Sequence, residues 1–208
     1  MLRSELFATD MVRAYQEGRK LHTARPCKLQ ESLSSGDYHF SHIDADGNYG
    51  FHSDSGKLPI FLKPKHRPGD YIYCRETWTL KGDEIDGPSD FFFGHEGVVY
   101  KASCKRPDRY AWFPSIHMPR EAARLFFRVT KVEVMRLEDV TEEFAREDGF
   151  LAADLVPAHN PSDAFQILSA RKTFENFWLD TYGPAARWMW VYWTEPCSRE
   201  EAMGDVSL

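Results

Sequence analysis

Cysteine is scarce and scattered in this chain. The four thiols, Cys27, Cys74, Cys104 and Cys197, form no Cys-x-x-Cys pair, and no Cys/His cluster has the spacing of zinc ligands. A disulfide framework and a structural metal are therefore not expected, and the thiols read as reduced in a cytosolic protein. Long apolar runs are missing too. No stretch approaches the ~18 residues that span a bilayer, and the opening Met1-Leu2-Arg3-Ser4-Glu5-Leu6-Phe7 lacks the apolar core of a signal peptide. There is no Gly-x-Gly-x-x-Gly and no Walker loop, so nucleotide-cofactor chemistry is not indicated and no cofactor is expected. Neither internal repeats nor low-complexity segments occur.

What is present is a chain of 208 residues, 42% hydrophobic and 14% aromatic, enough to bury a sizeable core and to exclude wholesale disorder. Its net charge of −6 hides strong segregation. Nine basic residues between Lys101 and Arg136 face only Asp108, Glu121 and Glu133, whereas seven acids between Glu138 and Asp154 face only Arg146. Two readings follow: a surface that meets a polyanion, or ordinary solvated strand and helix faces.

Leu6 and Phe7 predict a first short strand, and Thr9 an N-cap for a helix from Asp10, with Gly18 placed to end it at positive φ. The basic segment Arg19 to Pro26 follows. Alternation in Tyr38–His42 and Tyr49–Phe51 around Asp46-Gly47-Asn48 predicts a hairpin. The Asp44-x-Asp46-x-Asn48 spacing superficially matches a calcium loop, but Ser55 stands where a glutamate is required, and a turn is expected. Arg67-Pro68-Gly69-Asp70 is a turn opening a strand from Tyr71 to Trp78. A loop or irregular hairpin is expected over 81–97, then a strand at Val98–Ala102 and a helical turn after Pro119. The longest strand is expected over Leu125–Val134. Helices are expected at Thr141–Arg146, ended by Gly149, and from Ser162 to Tyr182, ended by Gly183. Arg187–Trp193 closes the pattern as a strand buried on both faces. Strands, about three helices and no strict βαβ alternation indicate an α+β protein with a mixed or antiparallel sheet.

Three motifs in order carry a family resemblance: Gly18-Arg19-Lys20-x-x-Thr23 after a helix, Pro68-Gly69-Asp70 opening a strand with Arg75-Glu76-Thr77-Trp78, and Pro114-Ser115-Ile116-His117-Met118-Pro119-Arg120-Glu121-Ala122-Ala123-Arg124. The acid-rich helix ending at Gly149 and the terminal Trp-rich strand extend the match. The pattern resembles the ASCH domain family, and more closely its prophage-associated bacterial branch. That resemblance implies one PUA-like domain over about 1–195, a small β-barrel with peripheral helices, carrying a polar His-rich insertion at about 28–60 and a tail at 196–208.

It also implies binding of RNA, DNA or a modified nucleoside in a cleft around the Gly-Arg-Lys segment. One branch resembles an amidohydrolase that deacetylates acetylcytidine with a lysine, a threonine and an acid from the later helix. Carried over, these roles fall on Lys20, Thr23 and Asp148, with Glu147 beside it. Leu21 and Ala24 depart from the family pattern, and Asp148 is one methylene shorter than the usual glutamate.

On chemical grounds, Thr23 needs a base to act as nucleophile, and Lys20 serves as that base only if burial or a neighbouring cation such as Arg19 or Arg25 lowers its pKa. Residues three apart on a flat strand face opposite sides, so this mechanism needs a turn or bulge between them. Elsewhere, alternatives stand side by side. Glu76 and Trp78 either read and stack on a base, or pair with an arginine and fill the core. Arg75, Arg120 and Arg124 either contact phosphates or cover the sheet with their stems. His117 is a general base or a hydrogen-bonded half-core residue. The functional expectations are thus nucleic-acid or modified-nucleoside binding, then hydrolysis (an amidohydrolase or a nuclease), then phage-related protein interaction through the acidic 138–154 face.

Overall fold

The computed structural model describes residues 1–28, 30–33, 37–81, 97–152 and 168–204. Most of the loop expected at 81–97, and the expected cap Ser162, lie outside these residues. The chain divides into two compact units, one formed by Met1–Gly18, Gly69–Val129 and Glu195–Leu208, the other by Arg19–Pro68 and Thr130–Thr194. The fold is mixed α+β and dominated by sheet. Among the described residues, neither unit contains a sheet that closes on itself.

In the first unit, β1 (Leu2–Leu6) runs parallel to β6 (Tyr71–Arg75). The latter pairs antiparallel with the start of β9 (Phe126–Arg136), Ile72 opposite Phe127. Helix α1 (Thr9–Gln16) buries Val12, Ala14 and Tyr15, and the Tyr15 ring lies 4.1 Å from that of Phe127. The expected Thr9 cap is displaced by one residue. Ala8 occupies the cap position with no side-chain acceptor, and Asp10 in the first turn complements the helix dipole instead. Gly18 ends the turn at φ 71°.

The single strand expected over Tyr71–Trp78 is two strands. It stops at Arg75 and resumes as β7 (Trp78–Leu80), paired with β8 (Val98–Tyr100). The interruption falls at Glu76, a buried carboxylate that needs an arginine rather than a ladder neighbour. Trp78, Leu80, Met118, Ala122, Phe126 and Ala202, from α5 (Arg199–Met203), form one apolar cluster. Each large side chain so buried contributes roughly 1.5–3 kcal/mol of transfer free energy.

In the second unit, β10 (Trp188–Cys197) lies between the later half of β9 and β2 (His22–Pro26), with Tyr192 opposite Thr23 and Trp193 opposite His22. Its first five residues are all buried, as its unbroken apolar sequence predicts. Helix α2 (Gln30–Leu33) follows β2. The predicted hairpin is β3 (Tyr38–Ile43) with β4 (Tyr49–Ser53), extended by β5 (Ile60–Leu62). Asp44 closes its turn by accepting from the backbone N–H groups of Asp46 and Asn48, so the turn reading replaces the calcium loop. One face of this sheet packs on β10: Tyr49 meets Trp190 at 4.8 Å between ring centres, and Phe51 meets Trp188 at 5.1 Å.

Helix α3 (Glu142–Glu147) is capped by the Thr141 hydroxyl, which accepts from Phe144 N–H, and ends at Gly149 with φ 98°. Helix α4 (Ala170–Tyr182), capped by Ser169, buries Phe174 and Trp178. No helix among the described residues is long and apolar enough to cross a membrane.

Candidate functional site

The first group of predicted site residues gathers in the second unit. The segment leading into β2 is fixed from both sides: Leu21 N–H donates to the Glu147 carbonyl at 2.7 Å, and Thr194 N–H donates to the Leu21 carbonyl at 3.0 Å. This brings Lys20 to the end of α3. Its Nζ donates to the backbone carbonyl of Asp148 at 2.6 Å and stands 2.8 Å from Asp148 Oδ1. The lysine and aspartate side chains are only 2% and 6% exposed, so this is a fully interior ion pair.

A third polar group completes it. His22 Nδ1 lies 3.2 Å from the same Oδ1, and its ring sits between those of Phe144 (4.2 Å) and Trp193 (4.7 Å). Nothing in the linear spacing assigned His22 a role. The available signal was parity, since His22 is two residues after Lys20 and shares its side of an extended chain. The shorter reach of Asp148 is no obstacle, because Lys20 and His22 both come to it.

The electrostatics follow from this burial. Desolvation lowers the Lys20 pKa below the usual lysine value; the Asp148 charge opposes that shift without cancelling it, and Arg25 adds to it. For Asp148, desolvation pushes upward, but the Lys20 charge and the His22 contact outweigh it, so the carboxyl titrates below its ordinary value.

Thr23 is placed differently. The β2–β10 register puts it on the face of Tyr192, opposite to the face His22 shares with Trp193. Its hydroxyl is buried and accepts from Arg25 Nη1 at 2.8 Å, and the same guanidinium reaches the Ala24 carbonyl. Arg19 donates to the Gly149 carbonyl at 2.9 Å. Glu147 is half-buried, and it is its backbone carbonyl that holds Leu21. The structure thus joins Lys20 to Asp148. It engages Arg19 and Arg25 with the protein's own oxygens, and it turns Thr23 to the other face of β2 from His22.

The second group lies in the first unit. Arg124 grips Glu76 in a two-point pair, Nε to Oε1 at 2.8 Å and Nη2 to Oε2 at 2.9 Å, while its guanidinium lies over the Tyr100 ring at 4.0 Å. Glu76 is 1% exposed, which matches the core-pairing alternative. Trp78 belongs to the apolar cluster of this unit and packs on Phe113. Arg75 donates to the carbonyls of Met118 and Ile116, fixing the helical turn at Ser115–His117. His117 and Arg120 are exposed.

Beyond Lys101, the long basic run divides into two groups of four. Arg124 pairs with Glu76, Arg128 with Glu195, Lys131 with Glu133 and Arg136 with Glu138. Lys105, Arg106, Arg109 and Arg120 are exposed and form no ion pair with a described residue. Tyr110, Trp112 and Phe113 lie along that stretch, the first two with ring centres 5.6 Å apart and Phe113 40% exposed.

No family model matches this chain. No curated protein matches it either. Among solved structures, protein EF3133 from Enterococcus faecalis V583, of the DUF984 family, aligns over 95% of this chain and 74% of its own, at 11% identity and a TM-score of 0.38. A likeness that distant carries no argument about fold or function.

Proposed function

We propose that this is an ASCH-like protein that binds single-stranded nucleic acid or a modified nucleoside within it, with the PUA-like architecture that resemblance implies. The supporting observation is the division of the basic run. Four of its nine cations are neutralised by acids of the protein. The stretch from Lys105 to Arg120 keeps its cations facing solvent beside Tyr110, Trp112 and Phe113. Cations for phosphates interleaved with aromatic faces for bases are the two elements single-strand binding requires. Lys20, Arg19 and Arg25 are turned inward, so phosphate steering passes from the amino-terminal segment to this stretch.

Fluorescence anisotropy with labelled single-stranded RNA and DNA tests the reading. Affinity should fall with salt, with a log–log slope of about −0.7 per phosphate contact. Replacing Arg106 and Arg109 by alanine should flatten that slope by roughly 1.4, and Trp112→Ala should weaken binding by about 1–3 kcal/mol. An Arg106→Ala/Arg109→Ala protein that binds like the wild type refutes it.

One observation favours the amidohydrolase as a second reading: Lys20, its pKa lowered by burial, stands against Asp148 as the resemblance implies. That reading requires the Thr23 hydroxyl, which the register places on the Tyr192 face away from His22, to turn to the Lys20 side. Lys20 then accepts the Thr23 proton as the oxygen attacks the acyl carbon of an N-acylated cytosine nucleoside. That proton passes through Asp148 to the leaving amine, and water releases the acid from the acyl-threonine. Release of carboxylic acid from acetylcytidine, lost in Lys20→Met and in Thr23→Ala proteins that remain folded, supports it. Turnover surviving Thr23→Ala excludes this hydroxyl as nucleophile.

A further inference from the structure

The outer face of the β3–β4–β5 sheet carries a cluster of imidazoles that neither functional reading uses. His39 and His42 are three residues apart, so a regular strand would point them to opposite faces. The pairing shows why they do not diverge. Phe40 is opposite Phe51 and His42 opposite Gly50, so Ser41 is an extra residue bulged out of β3. A bulge re-phases the strand and re-aims the side chains beyond it. His42 therefore shares a face with His39 and with His52, which is directly opposite His39. Phe40 and Phe51 take the inner face, where they pack together at 6.1 Å.

Three local features equip this face as a site. First, Gly50 leaves room for the His42 ring to lie over the sheet: a Cβ there would meet His42 Cε1 at 2.9 Å and Phe61 Cε1 at 3.2 Å. Second, His42 Nδ1 is engaged with Ser41 Oγ at 3.2 Å, which leaves Nε2 as its coordinating nitrogen. Third, His52 Nε2 is buried and makes no hydrogen bond with a described residue. A buried ring nitrogen with no partner is costly unless something else satisfies it.

The spacing is that of a bis-imidazole chelate. A metal 2.0–2.1 Å from one nitrogen of each ring lies roughly 3.2 Å from each ring centre, so near-tetrahedral angles put the centres roughly 5–6 Å apart. The rings of His42 and His52 are 5.7 Å apart. Among the described residues no three metal-ligating groups converge on one point, so the described donors of this site are the two imidazoles. Two neutral imidazoles suit Cu²⁺, Ni²⁺ and Zn²⁺ rather than Mg²⁺ or Ca²⁺.

We infer that His42 and His52 form a two-imidazole binding site for a divalent transition-metal ion, built by the Ser41 bulge and the Gly50 gap. The inference is independent of the nucleic-acid and hydrolase readings.

The experiment titrates chelator-treated, full-length protein with Cu²⁺ alone and with Zn²⁺ alone, by calorimetry and by ¹⁵N NMR of the imidazoles. One ion should bind per chain, Cu²⁺ more tightly than Zn²⁺. The ring nitrogens of His42 and His52 should shift. His42→Ala and His52→Asn should each weaken binding at least about tenfold, and His117→Ala, in the other unit, should leave it unchanged. His42 is exposed, so its replacement keeps the test valid if His52→Asn perturbs folding. Wild-type affinity in the His42→Ala protein, or ring signals of His42 and His52 that stay fixed while other histidines shift, overturns the proposal.

Discussion

Removing one member of the buried Lys20–Asp148 pair should cost more than removing both. Two unit charges 2.8 Å apart attract by roughly 6 kcal/mol at an effective dielectric constant of 20. Desolvating them costs several kcal/mol per ion, so the intact pair adds little net stability. Asp148→Ala leaves an ammonium group in the interior with its counter-charge gone, a loss of about 3–5 kcal/mol. Lys20→Met strands the carboxylate beside His22 at similar cost. The double variant Lys20→Met/Asp148→Leu strands no charge, only the buried His22 ring nitrogen that faced Asp148. It should lie about 1–3 kcal/mol below the wild type, less than either single variant.

Chemical denaturation followed by tryptophan fluorescence and by circular dichroism gives the energies. Thermal midpoints of the single variants should drop by roughly 6–20 °C, at 2–4 °C per kcal/mol for a chain of this size. In Asp148→Ala the deficit should narrow as pH rises, because the Lys20 pKa lies below its unfolded value and the stranded amine sheds its proton. Single variants within 1 kcal/mol of the wild type, or a double variant as unstable as the sum of the singles, would refute the reasoning.

The same pair sets the acid limb of stability. The folded Asp148 pKa lies below its unfolded value, so its contribution is present above about pH 4 and is lost as pH falls through the folded pKa. Between pH 4 and pH 2 the slope of unfolding free energy against pH should be shallower in Asp148→Asn than in the wild type. Glu76→Gln removes the charge from a two-point pair whose arginine is 25% exposed, and should cost about 3 kcal/mol by urea denaturation. Gly149→Ala forces an alanine to φ 98° directly after Asp148 and should cost about 1–2 kcal/mol. A loss below 0.5 kcal/mol would show that this turn is not strained.

Periodicity and turn chemistry made much of the fold legible. The hairpin around Gly47, the long strand that became β9, the Thr141-capped helix and the doubly buried terminal strand all appear where alternation, capping and Gly placement put them. Tertiary demands decided the rest. A buried carboxylate broke the strand expected through Glu76. Arg124, Arg128, Lys131 and Arg136 read as one positive run along the chain, yet Arg124 and Arg128 meet acids brought from far away by folding, while Lys131 and Arg136 pair with acids two residues on. The Lys20–Asp148 contact came from resemblance alone, since no local rule links residues 128 positions apart. The Ser41 bulge was invisible because alternation rules assume regular pairing.

The position of β10 has a consequence for biosynthesis. In the second unit, the strand that pairs with β2, residues 22–26, is supplied by residues 189–193. A ribosome moving from the amino terminus therefore releases β2, the tyrosine-bearing hairpin and the helix cap holding Asp148 well before the Trp-rich strand exists to cover them. Such late, long-range closure is slow and leaves apolar strands available to other chains in the interval. Nascent chains stalled short of residue 188 should engage chaperones or aggregate, while chains carrying β10 should become protease-resistant.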